Sequence, residues 1–187
     1  MHQGYVNMNG VRRKVFVSYH HDDQDEVVDF CSIFDDERDV CITRALGLGM
    51  EQDVIDSTNT DYVMQRIRDI YLKDATVTIV MIGKCTWARR YVDWEIQASL
   101  RHGDVVTPNG LIGIVLPSAG KKPIPPERLS KNLKGEKSNE GYARWYWYPE
   151  RKDQLANWLE DAFDARTNRA YLIENSRDNF KNNRTCP

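Results

Sequence analysis

The apolar residues of this chain form short runs, and longer segments with helical spacing lie between the runs. The run TVTIVMIG at 76–83 is apolar on both faces, as the central strands of a parallel sheet are. KVFVSY at 14–19 and GLIGIVL at 110–116 have the same character, and DVCIT at 39–43 and RWYWYP at 144–149 are shorter. This pattern predicts five strands.

Apolar residues recur at helical spacing in the segments that separate these runs. Val63, Ile67 and Ile70 form one such stripe, and any of residues 58–60 can cap its helix. The other segments with this spacing are 24–34, 89–101 and 150–163. Strands that alternate with helices predict an α/β fold of three layers, with a flavodoxin-like, doubly wound parallel sheet of five strands.

One domain is predicted, with short segments on either side of it. The boundaries are an N-terminal extension at 1–13, the domain at 14–165 and a polar tail at 166–187. Within the domain, residues 44–60 have little periodicity and are predicted to form a loop. Residues 117–141 are rich in Pro, Lys and Gly and are predicted to form an exposed excursion. We expect the tail to be loosely packed, or draped over the domain through Tyr171, Leu172 and Phe180.

Composition excludes several classes of protein. The chain has 187 residues, of which 41% are apolar and 29% charged, as in an ordinary globular domain. The formal net charge of −2 and the pI of about 6.1 argue against a nucleic-acid or anionic-membrane binder. No apolar run approaches the roughly 20 residues of a membrane span, and the first residues have no signal-peptide core. The expected location is therefore cytoplasmic.

The four cysteines are far apart in the sequence and form no CxxC pair. They are Cys31, Cys41, Cys85 and Cys186. This spacing predicts reduced, mostly buried thiols rather than a disulfide framework or a structural zinc site. His20 and His21 are neighbours that point to opposite faces of an extended chain, and no carboxylate or thiol spacing supports them, so no metal site is expected.

Polar clusters follow two of the predicted strands. SYHHDD at 18–23 follows the first strand, and CTWARRY at 85–91 follows the strand at 76–83. Ligands of doubly wound folds bind beyond the carboxyl ends of the strands, near the point where the strand order reverses. We therefore expect the two clusters to be neighbours at one edge of the sheet.

Glu95 lies in the first turns of the helix that follows the second cluster. Val92, Ile96 and Leu100 form the core stripe of that helix, so Glu95 falls beside the stripe, neither centrally buried nor fully solvated. An acidic residue there can simply complement the positive end of the helix dipole, which contributes under about 1 kcal/mol. Alternatively, it can be a functional carboxylate facing the ligand edge.

Two motifs resemble those of TIR-like domains, in particular those of the Thoeris antiphage defence system. TIR domains open with a strand of the type F-[IV]-S-[YF], which is Phe16–Tyr19 here. Members that cleave NAD carry an aromatic residue four positions before a glutamate, usually preceded by S/T-x-x-[S/R]-[R/K/D]. Tyr91 and Glu95 match that step, with Thr86 and Arg90 upstream, although many members have Trp in place of Tyr91. The resemblance extends over about 14–116.

The resemblance implies an enzyme that cleaves the nicotinamide–ribose bond of NAD+ and makes a cyclic or linked ADP-ribose signal for a separate effector. By the resemblance, Glu95 is the catalytic carboxylate, and NAD+ is the substrate, with no cofactor. Tyr19 or Trp94 would stack a base, and His20, His21 or Arg90 would meet the pyrophosphate. The residues expected to bind the substrate are Ser18, Tyr19, His20, Arg90, Tyr91 and Trp94.

The resemblance also implies that assembly completes the site, through the loop at 44–60. The near-neutral net charge permits such self-association. Two rival hypotheses remain: a non-catalytic TIR interaction module, and a nucleoside deoxyribosyltransferase, which has a similar fold and a glutamate nucleophile. Incubation with NAD+ distinguishes the rivals, because only the TIR enzyme consumes it.

Overall fold

A parallel sheet of five strands forms the centre of the molecule, as predicted. The computed structural model describes residues 11–45, 59–133 and 141–187. The strands are β1 (Arg13–Ser18), β2 (Cys41–Ala45), β3 (Val77–Ile82), β4 (Gly110–Val115) and β5 (Arg144–Trp147). They are hydrogen-bonded in the order β2-β1-β3-β4-β5, and every neighbouring pair is parallel. This order is that of a flavodoxin-like doubly wound sheet.

The helices lie on both faces of the sheet. They are α1 (Gln24–Cys31), α2 (Thr60–Arg66), α3 (Arg90–Ser99), α4 (Glu127–Leu133) and α5 (Lys152–Asn168). Wider turns of π type continue α1 over Ser32–Glu37 and α2 over Ile67–Leu72. Short 3-10 turns cover His21–Asp23, Thr86–Ala88, Pro117–Ala119 and Ala170–Leu172.

The core is divided by the sheet. On one face, α1 and α5 pack against alternate residues of the strands, among them Val15, Val17 and Ile79. On the other face, α2, α3 and α4 pack against the intervening residues, such as Phe16 and Val80. Because both faces are covered, every residue of β3 and β4 is buried, which explains their continuous apolar runs. The predicted three-layer α/β fold is therefore confirmed.

The loop predicted at 44–60 is shorter than expected at both ends. Its first two residues belong to β2, and α2 begins at Thr60. Asn59 caps that helix, as predicted, since its side-chain oxygen accepts a hydrogen bond of 3.1 Å from the backbone N–H of Tyr62. The rest of the predicted loop, 46–58, lies outside the described residues.

The excursion predicted at 117–141 contains a helix, so that prediction was wrong. Helix α4 buries Arg128, Leu129 and Asn132 against the rest of the domain. The sequence carried a signal for this helix, because Pro126 stands directly before Glu127, and both residue types favour a helix start. Two predicted boundaries also differ from the structure. Helix α3 ends at Ser99 instead of position 101, and α5 continues through Asn168, beyond the predicted start of the tail at 166.

The cysteine prediction was wrong for one pair. Cys85, which follows β3, forms a disulfide with Cys186, 101 positions further along the chain. Cys31 and Cys41 are free thiols, and Cys41 is buried, as expected. The long separation hid the pair, since distance along a chain carries no information on where a tail returns in space.

The tail is draped over the domain, which was one of the two predicted arrangements. Phe180 is its main apolar anchor, with only 8% of its surface exposed. Leu172 packs against the core beside α3 and α4, whereas Tyr171 is 81% exposed and anchors nothing. Across 11–45, 59–133 and 141–187, no helix combines the length and apolar character that crossing a bilayer requires.

Candidate functional site

The segments that leave β1 and β3 meet at the carboxyl edge of the sheet, as predicted. The hydroxyl of Thr86 lies 3.3 Å from a carboxylate oxygen of Asp23 and accepts a hydrogen bond of 2.9 Å from the backbone N–H of Gly83. A Cβ at position 83 would lie 2.1 Å from Oδ2 of Asp23, so a larger residue there would displace the Asp23 carboxylate. The edge lies between β1 and β3, where the strand order reverses.

Glu95 points from α3 toward the end of β1. The hydroxyl of Ser18, the last residue of that strand, donates a hydrogen bond of 2.5 Å to Oε2 of Glu95. Both side chains are buried: Glu95 is 3% exposed and Ser18 is fully buried. The expectation that Glu95 is only partly buried was wrong, because α3 lies flat on the sheet and β1 ends directly opposite the carboxyl group.

Burial raises the pKa of Glu95 from 4.5 to about 8, and the hydrogen bond from Ser18 opposes part of that rise. Within the described part of the chain, no arginine or lysine contributes to this balance. The carboxyl group is therefore mostly protonated at neutral pH. A buried carboxyl group whose pKa is raised so far, at the ligand edge of such a sheet, marks a candidate catalytic site.

A chain of hydrogen bonds holds the other end of α3 on the sheet. The hydroxyl of Ser99 donates to the backbone carbonyl of Glu95 over 2.8 Å and lies 2.7 Å from the hydroxyl of Thr78 on β3. The side-chain amide of Asn109 donates to Thr78 over 3.3 Å, and the Tyr142 hydroxyl donates to the Asn109 carbonyl over 2.6 Å. These positioning residues have no common spacing in the chain, so no pattern in the sequence predicted them.

Tyr19 and His20 lie at the same edge as Glu95. Tyr19 is half-buried, and its pKa is raised by burial, with the charges of Cys31 and Glu95 adding to the effect. His20 is 3% exposed, and burial lowers its pKa, with the nearby positive charge of Arg89 as the next cause. Ser18, Tyr19 and His20 therefore lie at the same edge of the sheet as Glu95, as expected, and their roles in substrate binding stay predictions.

Arg90, Tyr91 and Trp94 form a second group on α3. The guanidinium of Arg90 donates a hydrogen bond of 2.8 Å to the Tyr91 hydroxyl and lies 4.7 Å from the centre of its ring. The Tyr91 and Trp94 rings meet edge to face at 5.4 Å. Trp94 is 2% exposed and packs in the core with Phe16. In this conformation its indole is a core side chain.

The last residues of the chain, 173–187, form a C-terminal strap over the start of α3. The indole N–H of Trp94 donates to the Phe180 carbonyl, and the Phe180 N–H donates to a carboxylate oxygen of Asp93, each over 2.9 Å. Further on, the N–H of Arg184 donates to the Ala88 carbonyl over 2.8 Å. The disulfide at Cys186 closes the strap onto the segment before α3.

A buried ionic cluster joins the strap to α3 and α4. The fully buried Arg128 of α4 pairs with Asp93 of α3 at 3.1 Å, and Arg177 of the strap pairs with the same carboxylate at 2.8 Å. Arg128 also donates to the side chains of Asn175 and Asn179. Removal of one partner from such a cluster leaves an uncompensated buried charge, so the cluster fixes the strap in one place.

Three consecutive residues at the edge carry ligand atoms for a metal. The ring nitrogens of His20 and His21 and a carboxylate oxygen of Asp22 lie within 4.8 Å of one another. His21 and Asp22 have side chains that are 82% and 68% exposed. The positive charge of Arg89 acts on the same place and disfavours a cation there.

The sheet order, with a buried glutamate on the helix after β3, defines a flavodoxin-like α/β domain of the TIR-like class. The family model of the TIR-like domain of Thoeris protein ThsB matches residues 16–121, and the chain belongs to this family. The match extends from β1 to just beyond β4 and includes both clusters at the sheet edge. Membership assigns the chain a role in Thoeris antiphage defence, within a family linked to NAD-related catalysis. No curated protein matches the chain.

Proposed function

We propose that this protein cleaves the nicotinamide–ribose bond of NAD+ and releases a cyclic or linked ADP-ribose signal that activates a separate Thoeris effector. The observation that carries the proposal is the buried Glu95 carboxyl group, held by Ser18 at the edge where the strand order reverses. NAD+ is the substrate, and the proposed reaction needs no cofactor.

The chemistry of the bond suits a single carboxylate. Nicotinamide is bound to ribose as a pyridinium and leaves as a neutral molecule, so no general acid is needed, unlike in ordinary glycoside hydrolysis. As the bond breaks, positive charge develops on the ribose. A carboxylate in a dry site stabilises that charge far more than it would in water.

The raised pKa of Glu95 fits a cationic substrate. Without substrate the carboxyl group is mostly protonated at neutral pH, because burial raises its pKa to about 8. A pyridinium nearby lowers the pKa of a buried carboxyl group, and the hydrogen bond from Ser18 also favours the charged form. Substrate binding thus creates the carboxylate that the transition state requires.

The remaining predicted residues have proposed roles around Glu95. Ser18 orients the carboxylate, Tyr19 stacks on a base, and His20 lies toward the pyrophosphate. Arg90, Tyr91 and Trp94 are proposed as substrate-binding through the family motif. Since Trp94 is 2% exposed here, its ring reaches a ligand only if the start of α3 rearranges.

The experiment is incubation of the purified protein with NAD+, with nicotinamide and ADP-ribose products measured by chromatography. At high protein concentration or with a phage-derived trigger, wild type should release nicotinamide. Glu95→Gln should do so at least about 100-fold more slowly, because Gln keeps the volume but not the charge. Glu37→Gln, which makes the same change at an exposed glutamate outside the site, should retain wild-type activity. Near wild-type turnover by Glu95→Gln would show that the site assignment is wrong.

The alternative is a non-catalytic TIR interaction module. The observation that favours it is that Glu95 is 3% exposed and already satisfied by Ser18, as a structural residue would be. This alternative predicts intact NAD+ at every protein concentration, with or without an infection trigger. A nucleoside deoxyribosyltransferase would instead exchange the bases of deoxynucleosides and leave NAD+ unchanged.

A further inference from the structure

Two nitrogen atoms at the sheet edge are buried without a hydrogen bond in the described part of the chain. They are Nε2 of His20 and Nε of Arg89. His20 follows β1, and Arg89 directly precedes α3, so both flank the segments that Asp23 and Thr86 tie together at 3.3 Å. A buried N–H group without an acceptor costs about 1–3 kcal/mol.

Arg89 has no anionic partner in the described part of the chain. Its Nε is enclosed, whereas the residue as a whole is partly exposed, so the outer nitrogens of the guanidinium can meet a ligand. Arginine presents a planar array of donors that matches phosphate oxygens in pairs. The resemblance to TIR-like domains implied a substrate role for the neighbouring Arg90, whose guanidinium donates a hydrogen bond to the Tyr91 hydroxyl.

A carboxylate already lies where a ligand oxygen would go. Oδ2 of Asp22 is 3.1 Å from Nε2 of His20, yet the two atoms do not form a hydrogen bond. The other oxygen of Asp22 is 2.9 Å from Nε2 of His21. Because the Asp22 side chain is 68% exposed, it can turn into solvent and leave the place to another anion.

We infer that Arg89 and His20 form an anion-binding corner that takes a phosphate group, and that the Asp22 carboxylate lies where a ligand oxygen would bind. The chemical class of the ligand is a diphosphate, whose oxygens can meet a guanidinium and an imidazole together. The identification of this diphosphate as the pyrophosphate of NAD+ rests on the proposed function. The inference that the corner binds a diphosphate does not depend on that function.

A metal ion is the other ligand that these residues suggest, and Asp22 distinguishes the two. For an anion, the Asp22 carboxylate is a competitor, so Asp22→Asn should strengthen binding. For a metal, the same carboxylate is a ligand, so Asp22→Asn should weaken binding. The positive charge of Arg89 favours the anion.

The experiment is isothermal titration of the full-length protein with inorganic pyrophosphate, at fixed low ionic strength and with EDTA present. Wild type should bind, Arg89→Gln should bind about 10-fold or more weakly, and Asp22→Asn about threefold or more tightly. Arg101→Gln is the matched control, because Arg101 is an exposed arginine just beyond the other end of α3 and should bind as wild type does. Thermal unfolding of each variant checks that it is folded.

Absence of pyrophosphate binding by wild type, or equal binding by Arg89→Gln, would overturn the inference. Weaker binding by Asp22→Asn would overturn it too, and this exposed substitution does not depend on Arg89→Gln being folded. The proposed function is tested separately. Pyrophosphate binding that depends on Arg89, in a protein that leaves NAD+ intact at every protein concentration and with the infection trigger, would support the corner and refute the cleavage.

Discussion

Replacement of Glu95 by Gln should change how the stability of the protein depends on pH. Burial raises the pKa of Glu95 from 4.5 to about 8, so the folded state binds a proton that the unfolded state releases between those pH values. The contribution of Glu95 to the stability of wild type should therefore fall as pH rises from about 4.5 to about 8, and it should then level off. The Gln side chain of the variant does not titrate, and its amide oxygen can still accept the hydrogen bond from Ser18.

The size of the effect follows from the shift. At about 1.36 kcal/mol per pKa unit, a rise from 4.5 to about 8 corresponds to at most roughly 5 kcal/mol. Local opening that lets water reach the carboxylate reduces this value. We expect Glu95→Gln to be close to wild type in stability at pH 5, and about 2–4 kcal/mol more stable at pH 9.

The measurement is urea unfolding of wild type and variant at pH 5, 7 and 9, at constant ionic strength. The difference between the two proteins cancels the titration of all other groups. Glu37→Gln is the control, because Glu37 is an exposed glutamate at the end of the α1 segment. A difference for Glu95→Gln that is constant across pH, or a variant less stable at pH 9, would refute the raised pKa.

Three further predictions follow from the site and the strap. The kcat/KM for NAD+ cleavage should rise with pH through about 8, because the free enzyme must lose the Glu95 proton; a profile flat from pH 6 to 9 would contradict this. Cys186→Ser should lower the free energy of unfolding by about 2–4 kcal/mol, and dithiothreitol should then have no further effect on unfolding by urea. Specific activity should increase with protein concentration, or appear only with a phage-derived trigger, whereas high activity that is constant on dilution would show that each monomer has a complete site.

The sheet and the meeting of the two clusters could be predicted because both follow from local patterns. Runs that are apolar on both faces indicate covered parallel strands, and the carboxyl ends of parallel strands lie at one edge. This rule placed the two clusters at that edge, and the resemblance to TIR-like domains added Glu95. The hydrogen bond of 2.5 Å between Ser18 and Glu95 was not itself predicted.

A tail draped over the domain through Phe180 was one of the two predicted arrangements, but the contacts of the strap could not be predicted, because they depend on where the chain returns after α5. Phe180 stands alone in a polar segment, and nothing in the spacing of its neighbours indicates that Trp94 and Asp93 bind its backbone. The disulfide between Cys85 and Cys186 has the same origin. Arg128 was missed for a different reason: lysines and prolines around α4 concealed a short helix whose buried arginine has its partners in the strap.

The local sequence pattern predicts a partly exposed Glu95, whereas the fold buries it. A glutamate beside a core stripe should reach water, yet here it is enclosed. Burial disfavours its charged form and raises its pKa to about 8. The protein has a glutamate at this position although a Gln side chain would avoid that penalty and keep the hydrogen bond to Ser18. Such disagreements are expected at functional sites, where a residue is kept for its chemistry. Among the described residues, Glu95 is a buried carboxyl group without a cationic partner at the end of β1, and Arg89, which follows β3, has no anionic partner. Together the two side chains are complementary to a ligand that carries both a positive and a negative charge.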